Sequence, residues 1–413
     1  MGNTLSGGTM LKNIGLIIVC NLLMYLIIIL IIKIKEKWRN KNSIYISQNE
    51  KVEYLNKKVE ELERKIFIQE ILNHAISETE INEKIYYVSQ IIEKYKDEEM
   101  AYYYRGNLYI KFEKYDEAIN DFNKTIELND KCKEAYRGKG VCLARQGHYY
   151  EALQNYKKAI SIDPKYEVVH YNMGVCYSRL KKYTKAIESY TKALNLDKND
   201  ISAYYNRGRN YNRITRYEEA IEDFTKAINL EQHDERLYYN RGISYSLIEK
   251  HEEALKDYKK TIDINPEFEE VYYYAGFSYY LLEEYSEAIE YFTIAIEINI
   301  DYEQAYYGRA LAYLKMDNYT QAIQDFNEVI YINDKNAKAY YKRGLALDNL
   351  ERYEDAIKDF SKAIELDYKD ENIYYNRGTS KSLIRDLKGA KEDLTTALTY
   401  NKEEFRIYDV RGM

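Results

Sequence analysis

The feature that most restricts this chain is a small residue that returns every 34 positions. Gly106, Gly140, Gly174, Gly208, Gly242, Gly276, Gly344, Gly378 and Gly412 share one register, with Ala310 in the remaining place. Twelve positions after each stands an alanine: Ala118, Ala152, Ala186, Ala220, Ala254, Ala288, Ala322, Ala356 and Ala390. Four further on the chain carries bulk, at Phe122, Tyr156, Tyr190, Phe224, Tyr258, Phe292, Phe326, Phe360 and Leu394. Small residues let two helix axes approach, and a ring beside them fills the space between. A fixed period of this length marks an array of modules, each burying its apolar face against the next.

Composition agrees with helices. The 413 residues include only 2 Pro, too few for Pro-rich linkers, while 46% hydrophobic and 31% charged content argues against global disorder. A formal net charge of -7 gives no electrostatic reason to bind nucleic acid, and none is expected as a partner. Tyrosine is in large excess, at 49 residues. The abundance of Ile, Lys, Asn and Tyr also fits an AT-rich genome, so part of that excess is expected to be mutational.

The order Gly, then Ala, then aromatic, with Tyr or His four residues before the Gly, resembles the tetratricopeptide repeat. The resemblance covers residues 99–404 as nine contiguous units, with 405–413 starting a truncated tenth. Two departures are mild. Arg usually precedes the Gly where the family prefers Leu, and the closing Pro survives only as Pro164 and Pro266. The family implies an all-α fold, a right-handed α-solenoid of antiparallel helix pairs whose first helices line a concave groove, and a role in binding proteins or peptides.

Arg105, Arg207, Arg241, Arg309, Arg343 and Arg377 precede the register position, and sixteen residues later the same repeats carry Asp121, Asp223, Asp257, Asp325, Asp359 and Asp393. The other three repeats lose both members, with Lys139 and Asn155, Met173 and Ser189, and Ala275 and Tyr291 in their places. This joint loss predicts an ion pair joining the helices of one repeat, since removing one member would strand the other. Gly106, Ala118, Arg241 and Asp257 are therefore read as structural.

Positions six and three before the Gly, and one, four and five after it, share one face of the first helix. The family geometry turns that face to the groove. Three before the Gly stand Tyr103, Tyr171, Tyr205, Tyr239, Tyr273, Tyr307, Tyr341 and Tyr375, with Arg137 as the exception. A tyrosine there serves either packing between repeats or contact with an extended peptide. Five after the Gly, Lys111, Arg145, Arg179 and Arg213 form a basic run that favours an acidic peptide. The carboxylate clamp of chaperone-binding relatives is not reproduced, because Tyr holds its key Lys position.

The N-terminus reads differently. After a tail at 1–13, residues 14–32 are apolar apart from Asn21 and would span about 28 Å as a helix, enough to cross a bilayer. Lys33, Lys35, Lys37, Arg39 and Lys41 follow it, placing the remainder in the cytoplasm as a single-pass membrane protein. Residues 33–64 read as a basic flank and an amphipathic, coiled-coil-like helix, and an apolar seam of threes and fours runs over residues 45–69 through Tyr45, Gln48, Val52, Leu55, Val59, Leu62, Ile66 and Gln69. It supports two readings, a parallel coiled coil giving a homodimer, or one amphipathic helix folded onto the first repeat. Residues 65–98 read as a degenerate capping repeat.

No nucleotide, zinc-protease or serine-hydrolase motif occurs, the five histidines are scattered, and Cys142 and Cys176 occupy a register of small residues. No catalytic residue, metal or cofactor is expected. The sequence is read as a non-enzymatic, membrane-anchored scaffold that binds protein partners in a groove; the alternative is a regulatory or assembly subunit of a membrane enzyme or of a protein-import or secretion complex.

Overall fold

The computed structural model describes residues 47–368 and 370–400, with Ile29 and Lys33 as isolated positions. Apart from Ile29, the apolar stretch 14–32 lies outside the described residues, as do Tyr45 and the truncated repeat at 405–413. Among the described residues no helix is long and apolar enough to cross a membrane.

Twenty helices and no strand occur among the described residues, and they fall into two compact units, 1–180 and 181–413. Unit 1 holds α1 (Ser47–Ser77), α2 (Ile81–Lys94), α3 (Glu99–Lys111), α4 (Tyr115–Leu128), α5 (Lys133–Arg145), α6 (Tyr149–Ile162) and α7 (Glu167–Arg179). Unit 2 begins with α8 (Tyr183–Leu196), α9 (Ile201–Arg213), α10 (Tyr217–Leu230), α11 (Glu235–Leu247), α12 (His251–Ile264) and α13 (Glu269–Leu281). It continues with α14 (Tyr285–Ile298), α15 (Glu303–Lys315), α16 (Tyr319–Ile332), α17 (Ala337–Asn349), α18 (Tyr353–Glu365), α19 (Glu371–Leu383) and α20 (Leu387–Tyr400). Inside each unit successive helices pack on one another, and several first helices also touch the first helix of the next pair: α3 with α5, α5 with α7, α9 with α11, α11 with α13, α13 with α15 and α17 with α19. Each unit is thus an all-α, solenoid-like stack.

The recurring small residues explain the packing. A Cβ built on Gly242 would lie 2.6 Å from Cε1 of Tyr258, and one on Gly344 would lie 2.7 Å from Cε1 of Phe360. The rings at that position, Phe122, Tyr258, Phe292, Phe326 and Phe360, are fully buried, as are Ala118, Ala254, Ala288, Ala322 and Ala356. Phe122 is held from two sides, because Gly138 of the next repeat approaches it as closely as Gly106 of its own.

The first helix of each repeat ends in a left-handed turn seven residues after the register position. Glu113, Lys181, Thr215, Glu249, Glu283, Asp317, Glu351 and Arg385 take φ between 53° and 65° there, and Gly147 takes 85°. Only Gly147 is the residue that this conformation favours. The geometry recurs regardless of residue type, so the packing of the pair on either side dictates it.

The expected boundary between 64 and 65 falls inside one continuous helix, α1. Arg64 reaches across to Asp97 and Glu98 at 2.9 Å each, and Phe67 meets the edge of the Tyr95 ring at 5.7 Å. From Arg64 onward α1 therefore packs on α2, with Ile68, Ile71, Leu72 and Ala75 joining Val88, Ile91, Ala101 and Leu108. A helix already anchored by its side chains has no physical reason to break at that point.

Replacing Gly242 by Ala should lower stability by about 1–3 kcal/mol, because the fully buried Tyr258 ring has nowhere to retreat. The urea midpoint of unfolding followed by circular dichroism measures it, and an unchanged midpoint would contradict this account of the packing.

Candidate functional site

Two kinds of side chain recur inside the repeats, and separating them isolates the surface that is free to act. The first kind is the guanidinium cluster. In the six pairs Arg105–Asp121, Arg207–Asp223, Arg241–Asp257, Arg309–Asp325, Arg343–Asp359 and Arg377–Asp393, Nε and Nη2 donate to the two carboxylate oxygens at 2.6–2.8 Å. This is the bidentate fork that a planar guanidinium favours. The third arm, Nη1, donates at 2.7–3.0 Å to a residue of the preceding repeat: Ser89, Thr191, Thr225, Thr293, Asn327 and Ser361 respectively. A tyrosine four before the register position covers each guanidinium, with the carbon 5.5–5.9 Å from the ring centre of Tyr102, Tyr204, Tyr238, Tyr306, Tyr340 and Tyr374.

Burial pushes Asp257 above the usual carboxylate range, against the hydrogen bonds from Arg241. Burial is the largest influence on Arg241 and works against its charge, but hydrogen bonding and charge attraction to Asp257, with smaller help from Tyr245 and Tyr238, together hold the guanidinium up. The pair thus pays desolvation on both sides, and its worth lies in fixing one geometry.

The inter-repeat arm was legible in the sequence and was missed. Sixteen residues before each arginine stands Ser, Thr or Asn; of the repeats without the arginine, those with Met173 and Ala275 carry Lys157 and Lys259 there, while the one with Lys139 keeps an acceptor at Asn123. In the Ala275 repeat, tyrosine rings take over, with Tyr291 5.1 Å from Tyr279 and 6.3 Å from Tyr272.

The second kind is the tyrosine three before the register position. Tyr103, Tyr205, Tyr273, Tyr307 and Tyr341 place their rings 5.7–6.1 Å from Phe122, Phe224, Phe292, Phe326 and Phe360 of their own repeats. Tyr239 lies 4.7 Å from Phe268, and Tyr375 packs with Leu394 and Ala397. Most remain half-buried, but Tyr341 is only 5% exposed. Its hydroxyl accepts from Asn376 at 3.1 Å and its ring meets Tyr368 at 5.1 Å, so as a groove contact it is corrected to a packing residue. Arg137, which stands in the tyrosine register, donates from Nε to the Tyr166 hydroxyl at 3.1 Å.

What stays free is the basic register. Lys111, Arg145, Arg179 and Arg213 are exposed, and none makes an ion pair or hydrogen bond to another side chain among the described residues. In unit 1 a cavity of about 410 Å³ is lined by Arg145 and Arg179, by Tyr171 and Asn172, and by Val141, Ala144 and Val175, with no carboxylate on its walls. It brings together two of the four cations and one of the eight tyrosines that the sequence singled out. Cys176 and Tyr156 form its floor. Arg213 belongs to unit 2.

Family models place these helices. Models described as the tetratricopeptide repeat match residues 100–132, 168–200, 201–234, 235–268, 269–302, 303–336 and 337–367, and a model described as a TPR repeat matches 142–181. The chain belongs to the tetratricopeptide repeat family. Among solved structures it is similar to MamA from Desulfovibrio magneticus RS-1, at 26% identity over 42% of this chain and 98% of that one, with a TM-score of 0.41. It is also similar to YrrB, titled a TPR protein with an unusual peptide-binding site, at 25% identity over 44% of this chain and 93% of that one, with a TM-score of 0.40. The C-terminal part of a TPR repeat-containing protein from Cytophaga hutchinsonii aligns with a TM-score of 0.52 at 18% identity, over 58% of this chain and 98% of that one, which shows the fold alone. A search of curated proteins finds no match.

Within this tetratricopeptide repeat chain, Asp257→Ala should cost about 3–5 kcal/mol because Arg241 is left buried and unpaired, whereas Arg241→Met with Asp257→Leu should recover most of the loss. Urea denaturation of the single and double variants measures the coupling, and additive losses would refute it. The buried thiols of Cys142 and Cys176, both pushed up to about 12 by burial, should resist iodoacetamide at pH 8 and react once urea unfolds the chain. Mass spectrometry of the alkylated peptides reads the difference.

Proposed function

We propose that this chain is a membrane-tethered tetratricopeptide repeat scaffold that binds an extended, acidic segment of a partner protein. The observation that carries the reading is the unit 1 cavity, in which Arg145 and Arg179 stand unpaired beside a tyrosine and an asparagine over an apolar wall. Unpaired guanidinium groups take carboxylates in a fork, and Asn172 can bond a peptide backbone. Apolar walls and the Tyr171 ring supply contact area. A receptor surface already ordered by its neighbours leaves most of the ordering cost to the ligand, which suits recognition of a flexible segment.

The tether rests on residues 14–32, whose length and lack of charge match a bilayer, and on the lysines and arginine that follow, which favour a cytoplasmic repeat domain. Tethering raises the concentration of the groove near other membrane components. A coiled coil over residues 45–69 would pair two such scaffolds.

Proximity labelling from the full-length chain in membranes tests both parts. The double change Arg145→Glu and Arg179→Glu should remove the acidic partners from the labelled set and leave the protein in the membrane pellet. Deleting residues 1–40 should move it to the supernatant. An unchanged labelled set with the charge-reversed groove would discard the site, and a deletion that still pellets would discard the tether.

A further inference from the structure

In unit 2 the groove-facing register changes its chemistry from one repeat to the next. Five after the register position the sequence runs Arg213, then Leu247 and Leu281, then Lys315. One and four after it stand Phe277 and Tyr280 on α13, and Leu311 and Leu314 on α15. Helices α11, α13 and α15 touch in that order, so these positions form one continuous face. Along α13 the rings of Tyr273, Phe277 and Tyr280 stack in series, each 6.3 Å from the next with interplanar angles of 21° and 17°.

This face is more apolar than the fold requires. Phe277, Tyr280, Leu311 and Leu314 give one side of their side chains to the core cluster of unit 2, but Leu247 and Leu281 do not join it and are 52% and 44% exposed. In the same register the preceding repeats carry cations, so water-facing leucine is not a demand of the helix pair. Its borders are charged. Arg209 and Arg213 flank it on α9 and Lys315 on α15, none with a carboxylate partner among the described residues, while Glu270 at the start of α13 is the acidic member of the groove register here. A contiguous apolar patch rimmed by charge is the signature of an interaction surface, and stacked aromatic rings with leucines around them are its energetic centre.

We propose that this face binds a segment of a partner polypeptide in which leucine or aromatic side chains are flanked by acidic residues. The inference rests on the groove reading above and assigns unit 2 a different half of the recognition: unit 1 selects for negative charge, and unit 2 for apolar side chains set between negative charges. The flanking cations choose the ends of the apolar stretch and so its register on the face.

The test uses the full-length chain in phospholipid nanodiscs, with fluorescence anisotropy of two labelled peptides. One carries a short Leu/Phe stretch between Glu flanks; in the other, Ser replaces each Leu and Phe. The first should bind at least tenfold more tightly than the second. Leu247→Asp with Leu281→Asp should abolish that advantage while leaving the Ser peptide unaffected; because both leucines are exposed, the thermal melt should be unchanged, and Leu247→Ser with Leu281→Ser serves if it is not. Lys in place of the Glu flanks should also weaken the first peptide. Equal binding of the two peptides, or an advantage that survives the leucine changes, would overturn the inference while leaving the unit 1 groove standing. Failure of the Ser peptide to bind, or indifference of its binding to Arg145→Glu with Arg179→Glu, would instead count against the unit 1 reading alone. Self-association in analytical ultracentrifugation that the leucine changes abolish would assign the face to a second copy of the chain and overturn the proposal.

Discussion

A backbone without a side chain, pressed against a buried ring, is the contact on which the remaining structure depends. Gly106, Gly208, Gly242, Gly276 and Gly344 let an aromatic ring of the second helix lie where any Cβ would intrude. That approach fixes the distance between the helices of a pair. With the distance fixed, an arginine one residue before the glycine and an aspartate one residue before the ring come within reach of two parallel hydrogen bonds. The polar bonding is a consequence of the apolar spacing, and the left-handed turns at non-glycine residues are held by the same packing.

Part of the tyrosine excess now has a structural account. In the repeats that carry the arginine, one tyrosine covers the guanidinium, and in several of them the next in sequence leans on the central ring, as with Tyr204 and Tyr205 or Tyr340 and Tyr341. A single helix turn therefore serves both the polar and the apolar side of its repeat. The first of these positions serves the fold, the second is shared between packing and the half-buried groove face, and the residues that follow the glycine vary from basic to aromatic along the chain.

Much of the fold was legible because its period is strict. The glycine, alanine and aromatic registers specify helix pairs, and the joint loss of Arg and Asp in three repeats reveals a bond without coordinates. Depth was not legible. Tyr341 and Tyr103 share a register, yet Tyr341 is sealed by Tyr368 and Asn376, contacts that come from the loop and the next repeat. Nor could the sequence show that α1 runs on past residue 64, since its anchors, Asp97 and Glu98, lie more than thirty residues away. The cavity beside Arg145 and Arg179 depends on which neighbouring side chains leave space, and periodicity does not encode that.

The bond from each arginine to the repeat before it gives the array a grammar of order. Arg309 rests on Thr293 because the repeat between Gly276 and Ala310 supplies that hydroxyl, and Lys259 stands one period earlier in the same position. Excising that one period would bring Arg309 against Lys259, two like charges in a place built for a hydroxyl. Repeats of identical length are thus not exchangeable parts, and a chain that grew by duplication could shed only those modules whose neighbours still match.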